Sequence, residues 1–249
     1  MIFKWKYIIS LSLIFLVQYA FAQDNSIFED DRLIYNKEAS GGVLIHNFGW
    51  GLNFSKYKKQ TIDKYKYFEF QFSFVHHPKQ QRVASYYYQD ARGFYYGKLN
   101  TFFVLRALYG KKHVIGHKIR SSGVELAYKW GIGPSFGFLK PVYLEIYYED
   151  VGFPVVEQYD PELHDFNNIV GRASGLKGFD QLMFRPGVFF KFGMQIEFSA
   201  KKQGLSGLEA GIALDAYLQE IELMARIDNL QFFPVLYFNI FFGKKYNQM

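Results

Sequence analysis

Six acidic residues, Glu69, Glu125, Glu145, Glu197, Glu209 and Asp215, fall on the polar positions of segments whose alternate residues are apolar, and Arg106, Lys129 and Lys191 fall on equivalent positions. Carboxylates gathered with ammonium and guanidinium groups away from water have two chemistries open to them. They neutralise one another in a fixed, hydrogen-bonded plug, or, where acids outnumber bases, they line a path for protons or cations. The plug is the reading carried forward, and only the excess of six acids over three bases speaks for a path.

Other reactive groups are scattered. His46, His76, His77, His113, His117 and His164 are the histidines. His113 and His117 converge on a metal only if segment 112–118 folds back on itself, and the flanking Lys112 and Lys118 oppose a cation there. His76 and His77 are adjacent, and neighbouring side chains on a strand point to opposite faces. Ser73 lies near these histidines and Asp165 follows His164, yet no third member completes a nucleophilic triad. Gly131-Ile132-Gly133 sits within a predicted strand with no helix behind it, so it is not a phosphate cradle. The absence of cysteine excludes disulfides, thiolate metal sites, a cysteine nucleophile and a lipid anchor on an N-terminal cysteine. The chain reads as non-enzymatic, with no cofactor or metal implied.

The elements that must position the charged set are strands, because apolar and polar residues alternate with a period of two. In 43–57, Phe48, Trp50, Leu52 and Phe54 share a face opposite Asn47, Gly49, Gly51, Asn53 and Ser55. In 65–77, Phe68, Phe70, Phe72 and Phe74 oppose Glu69, Gln71 and Ser73. Segment 98–110 is less regular, with Asn100 and Arg106 set against Leu99, Phe103, Leu105 and Ala107. Segments 121–138 and 142–148 follow, separated by a turn at Leu139-Lys140-Pro141, and then 183–200, 206–224 and 230–243. Ala, Leu and Glu in 206–224 would suit a helix, but Gly207, Gly211 and the strict alternation favour a strand.

Of 249 residues, 28 are Phe, 20 Tyr, 3 Trp and 22 Gly, which suits strands and turns and opposes disorder. A mean hydropathy of −0.11 with 49% hydrophobic residues means that apolar residues are interspersed, which rules out a helical membrane bundle. Lys4 and Lys6, the apolar run 8–17 and Ala20-Phe21-Ala22 read as a secretory signal peptide, residues 1–22, cleaved after Ala22. A periplasmic leader over 23–40 and one domain over 41–249 complete the organisation. Loss of Lys4 and Lys6 lowers the formal charge from +6 to +4, too mild to argue for nucleic acid.

Eight alternating strands behind a signal peptide, aromatic on the apolar face, predict an all-β fold, a transmembrane antiparallel β-barrel of eight strands in a Gram-negative outer membrane. Lipid cannot satisfy an open sheet edge, so a spanning sheet closes on itself. A secreted sandwich also alternates but does not need so many aromatics on so many strands. Eight strands enclose a bore just wide enough for side chains to fill, which favours the plug. With both termini in the periplasm, the outer loops fall at 55–64, 111–120, 150–182 and 225–229. Segment 78–97 then becomes a long periplasmic turn; it either protrudes as a hairpin or supplies two more strands of a ten-stranded barrel. Within or beside it, Tyr86, Tyr87, Tyr88, Phe94, Tyr95 and Tyr96 are expected to form a docking surface for a protein partner. Tyr57, Tyr65, Tyr67, Tyr109, Tyr147 and Tyr148, near strand ends, are expected at the membrane interfaces.

The runs Tyr96-Gly97-Lys98-Leu99-Asn100, Leu105-Arg106, Tyr109-Gly110, Gly123-Val124-Glu125 and Leu139-Lys140-Pro141-Val142-Tyr143-Leu144-Glu145 resemble a family of small Gram-negative outer-membrane barrels with no assigned biochemical role. The resemblance covers the middle third of the chain. It implies an accessory or structural subunit of an outer-membrane assembly or secretion complex and carries no catalytic residues across. Outer-membrane lipid and an envelope protein complex are the expected partners. A narrow channel or small-solute transporter using the acidic interior is the alternative.

Overall fold

The computed structural model describes residues 35–85, 92–118, 123–199, 201 and 203–247. The expected signal peptide with its cleavage site, most of the expected leader, and Tyr86, Tyr87 and Tyr88 lie outside the described residues.

The strands follow the alternation. In chain order they are β1 (Lys37–His46), β2 (Gly49–Lys59), β3 (Lys64–Val75), β4 (Arg82–Val83), β5 (Phe94–Tyr95), β6 (Asn100–Gly116) and β7 (Glu125–Pro141). Then come β8 (Tyr143–Tyr147), β9 (Pro154–Gln158), β10 (Ile169–Arg172), β11 (Met183–Glu197), β12 (Gly204–Ile221) and β13 (Leu230–Tyr246). Eight of them close into an antiparallel barrel in the order β1-β13-β12-β11-β7-β6-β3-β2. β1 pairs with both β13 and β2, so no edge of this sheet is left open.

Outside, the apolar face is bare. Trp50, Leu52 and Phe54 of β2, Phe68 and Phe70 of β3, Val188, Phe190, Phe192, Met194 and Ile196 of β11, and Phe232, Leu236, Phe238, Ile240 and Phe242 of β13 are all exposed. From Phe232 to Phe242 the chain rises by ten residues. At about 3.3 Å each and a tilt of about 40°, that gives a band about 25 Å tall, the height of the apolar belt on a membrane-spanning barrel.

Two differences from the sequence reading move the connections at 55–64, 78–97 and 111–120 to the other end, while 150–182 and 225–229 keep the end expected for them. β1 begins at Lys37, inside the expected leader, and the segment 43–57, read as the first strand, holds the end of β1, a tight turn at Asn47-Phe48 and most of β2. Lys37, Ala39 and Gly41 occupy the outward positions of β1 before Val43 and Ile45, so its apolar face is short and its alternation hidden. The segment 142–148, read as a barrel strand, is instead β8, which pairs with β9 and β10 in a separate three-stranded sheet. The barrel count stays at eight while its membership changes. The hairpin anticipated in 78–97 exists as β4 paired with β5, but it joins no barrel strand, and the ten-stranded alternative falls.

Connections 47–48, 76–99, 142–182 and 222–229 therefore leave one end of the barrel, and the shorter connections 60–63, 117–124 and 198–203 leave the end where β1 starts and β13 finishes. The loops expected outside at 55–64 and 111–120 are short turns at this second end. The aromatic segment expected in the periplasm shares its end with the longest connection.

These long connections fold together as a cap. Backbone hydrogen bonds stitch them: Leu99 N–H to Leu223 (3.0 Å), Val142 N–H to Leu99 (2.9 Å), Ala225 N–H to Gly97 (2.7 Å) and Arg172 N–H to Arg92 (3.0 Å). Phe94, Leu144, Ile146, Tyr159 and Ile169 form a small core of its own beneath them.

Candidate functional site

The register sorts the interior of the barrel into layers. Nearest the cap lies an apolar stopper of Phe48, Phe102, Tyr217, Phe233 and Met224. Phe48 packs edge-on to Phe233 at 5.4 Å and Phe102 edge-on to Tyr217 at 5.4 Å. Phe48 was expected on the outer face; it sits in the tight turn, where the strand's alternation no longer governs its direction, and folds inward.

Below the stopper, Arg106 of β6 meets Asp215 of β12 through Nη2 at 2.5 Å and Nε at 3.1 Å. Ser73 accepts a hydrogen bond from Arg106 Nη1 at 2.9 Å, Ser135 donates to Asp215 at 2.9 Å, and the guanidinium lies 4.4 Å from the centre of the Phe189 ring. A charged pair this dry holds only when its remaining donors and acceptors are matched, and the two serines do that.

The next layer is a closed quartet. Lys129 contacts Glu69 at 2.8 Å and Glu209 at 2.9 Å, and Lys191 contacts the same two carboxylates at 2.7 and 3.0 Å. Each ammonium bridges both acids, so two positive and two negative charges cancel within one ring of contacts. Ser55 and Gln71 donate to Glu69, Tyr237 donates to Glu209 at 2.7 Å, and Lys129 donates to Tyr57 at 3.3 Å. Aromatic faces complete the shell, with Tyr67 4.7 Å from Lys129 and Tyr237 4.8 Å from Lys191. Inward glycines make room for these rings: a Cβ on Gly131 would stand 2.5 Å from the Tyr67 hydroxyl.

A third group closes the end where β1 starts. Lys112 is fully buried and lies 3.1 Å from Glu125 and 3.5 Å from Glu38, and Glu197 takes Lys118 at 2.9 Å and Lys245 at 2.8 Å.

The structure thus unites Glu69, Lys129, Lys191 and Glu209 in one cluster, Arg106 and Asp215 in a second, and Glu125 and Glu197 in a third. Glu145 belongs to none of them. It lies on β8 in the cap, outside the barrel, because the segment that carries it never enters the closed sheet. Sequence reasoning missed Glu38, which falls in the expected leader, and Lys112, although Lys112 follows Arg106 by six residues and so keeps its inward parity. It also missed Lys118 and Lys245. Among the described residues these clusters set Glu38, Glu69, Glu125, Glu197, Glu209 and Asp215 against Arg106, Lys112, Lys118, Lys129, Lys191 and Lys245. The apparent excess of acids, the sole support for an ion path, vanishes. The space between Leu44, His46, Arg106, Phe189 and Val235 is too narrow to hold a water molecule.

Tyr57, Tyr65 and Tyr67, expected at the membrane interface, point inward and are buried against the lysines; only Tyr109 of that set stands on the outer face of the barrel, and Tyr147 and Tyr148 belong to the cap. Their direction follows from Glu69, since residues 65, 67 and 69 share a face. The histidines are dispersed: His117 pairs with Asp63 at 2.6 Å, His113 lies against Tyr128 at 5.2 Å, and His164 is buried in the cap, accepting from the Asp160 N–H at 3.0 Å. Ser73 is buried and accepts a hydrogen bond from Arg106.

The cap is what remains accessible. Of the aromatics expected to dock a partner, Phe94 is fully buried in the cap core, Tyr95 lies 5.0 Å from Lys98, and Tyr96 is exposed, edge-on to Phe166 at 6.1 Å. Burial, with Lys140 and Arg172 as neighbouring cations, pushes Lys98 down to about 8. Further out, Phe153, Leu163 and Leu176 are 62, 69 and 80% exposed.

Among solved structures, the chain is similar to Ail, the attachment invasion locus protein of Yersinia pestis, with 10% identity, 84% of this chain and 97% of that chain covered, and a TM-score of 0.40. It is also similar to Neisserial surface protein A, with 7% identity, 85% and 96% covered, and a TM-score of 0.37. No protein-family model matches the chain, and no curated protein does.

Proposed function

We propose that the chain spans the outer membrane of a Gram-negative cell as a closed, non-enzymatic barrel and serves as an accessory or structural subunit of an envelope complex, docking through its cap on the outer side. The observation that carries this reading is a separately cored cap, with Phe153, Leu163 and Leu176 exposed, on a barrel whose own interior is filled and charge-balanced. A bare apolar belt on every side suits lipid, since soluble monomers rarely expose apolar patches beyond a few hundred Å². Long connections at one end and short turns at the other suit an outward cap, because spanning barrels carry short periplasmic turns and longer outer loops. With the bore occupied, transport has no route, and the remaining work is recognition.

The test compares tagged native protein with a Phe153→Asp/Leu163→Asp variant, each isolated from its native membrane in mild detergent, with co-purifying proteins quantified by mass spectrometry. Native protein should carry an envelope protein near one-to-one, and the variant should lose it by about tenfold or more while keeping the heat-modifiable gel mobility of a folded barrel. A solitary native barrel, or a partner retained by the variant, overturns the reading.

A further inference from the structure

The outer surface changes character sharply toward the end where β1 starts. Lys58 of β2 stands directly opposite Lys66 of β3, and Lys66 directly opposite Lys111 of β6. All three are exposed and share the outward parity of the belt residues Phe54, Phe68 and Tyr109. Lys37 of β1 faces Lys58 on the other side, and Lys56, Lys64 and Lys244 are exposed at the same end. Side chains directly opposite on antiparallel strands lie about 5 Å apart, where like charges repel. Asp63, in the turn between β2 and β3, is half exposed at this end and is taken by His117 at 2.6 Å. Glu38, Glu125 and Glu197 point into the barrel and are matched there by Lys112, Lys118 and Lys245.

Like charges held in strict register favour an anion beside them. The place of the row says which. Phe68 lies two residues from Lys66 and Tyr109 two residues from Lys111 along their strands, a step of about 7 Å, so the row borders the apolar belt where headgroups meet acyl chains. We propose that Lys58, Lys66 and Lys111 form a binding surface for the phosphate groups of anionic phospholipids in the leaflet beside the short turns. The proposal rests on the membrane-spanning reading above and deepens it: the barrel selects its lipid neighbours on one side and at one level.

Tryptophan quenching tests it, because Trp130 of β7 stands opposite Lys111 and faces outward. A chain carrying Trp5→Phe and Trp50→Phe leaves Trp130 as the sole reporter, and one carrying Trp5→Phe and Trp130→Phe leaves Trp50, next to the tight turn at the other end. Each is folded into vesicles of phosphatidylcholine with one-fifth phosphatidylglycerol, with one lipid or the other brominated in its chains. Phosphatidylglycerol should be enriched at Trp130 by about fivefold or more over its share of the bilayer and not at Trp50. The enrichment should vanish in half-molar salt and in Lys58→Gln/Lys66→Gln/Lys111→Gln, and persist in the corresponding triple arginine variant. Quenching in proportion to composition at Trp130, or enrichment that survives the glutamine substitutions, overturns the lysine proposal. Absence of quenching by either brominated lipid overturns the membrane reading instead.

Discussion

Replacing Lys129 with Met removes one corner of the buried quartet while keeping the length of the side chain. Glu69 and Glu209 are then left with a single ammonium, Lys191, and the ring changes from neutral to one net negative charge. Removing one partner from a buried ion pair costs about 3 to 5 kcal/mol, because the stranded charge has no water to turn to. The contact of Lys129 with Tyr67 at 4.7 Å adds about 1 kcal/mol. Lys129→Met should therefore lose about 4 kcal/mol or more, and Glu209→Gln, which strands a positive charge instead, about 3. In the double variant one lysine again faces one glutamate, so the two losses should fall short of their sum by about 2 to 3 kcal/mol. Reversible urea unfolding of the barrel from lipid vesicles, followed by tryptophan fluorescence, gives all four corners of the cycle. Additive losses would refute the neutral quartet and reduce Lys129 and Glu209 to independent space-filling groups.

Three further outcomes follow. Gly131→Ala should cost about 1 to 3 kcal/mol by pressing on the Tyr67 hydroxyl, and Tyr67→Phe should relieve much of it in the same titration; an unrelieved loss would mean that the ring does not sit over that glycine. Purified folded protein in a planar bilayer should pass no discrete current, and regular conductance steps of a water-filled pore would contradict the closed interior. Lys98 carries a folded value of about 8 against an ordinary 10.5, so the unfolded cap binds the extra proton between these limits and cap stability rises with pH across that window, with the full penalty standing below about 8. Lys98→Met should accordingly make the cap more resistant to proteolysis at pH 7, with the advantage shrinking by pH 9.5; equal resistance at pH 7 would refute the penalty.

How much of this was legible follows from parity. Wherever a strand alternates without interruption, as at Phe68 to Phe74, Val124 to Ile132 or Val188 to Ile196, the residues between the apolar ones point inward, and Glu69, Lys129 and Lys191 are found by that rule alone. Tyr67 and Lys112 obey it too; Glu69 and Arg106 fix their faces, but aromatic character suggested an interface for the first, and the strand was ended too soon for the second. What alternation does not carry is membership. Residues 143–147 alternate as a barrel strand does, yet their partners are the cap strands β9 and β10, and only long-range pairing decides that. β1 hides for the opposite reason, since Lys37, Ala39 and Gly41 stand at the outward positions before Val43 and Ile45 while its backbone pairs fully on both sides. One strand gained at the start and one lost at 142–148 preserve the count and switch the ends of the connections between them, which is why the aromatic segment moves from the periplasm to the cap.

The outward placement of the cap underlies everything assigned to it, and the lack of cysteine makes it directly measurable. Ser174 is exposed in the cap and Thr61 is exposed in the short turn between β2 and β3. Single cysteines at these positions, treated in intact cells with a maleimide that does not cross the outer membrane, should give labelling of Ser174→Cys at once and of Thr61→Cys only after the outer membrane is permeabilised. Labelling of Thr61→Cys in intact cells with Ser174→Cys protected would contradict the outward cap.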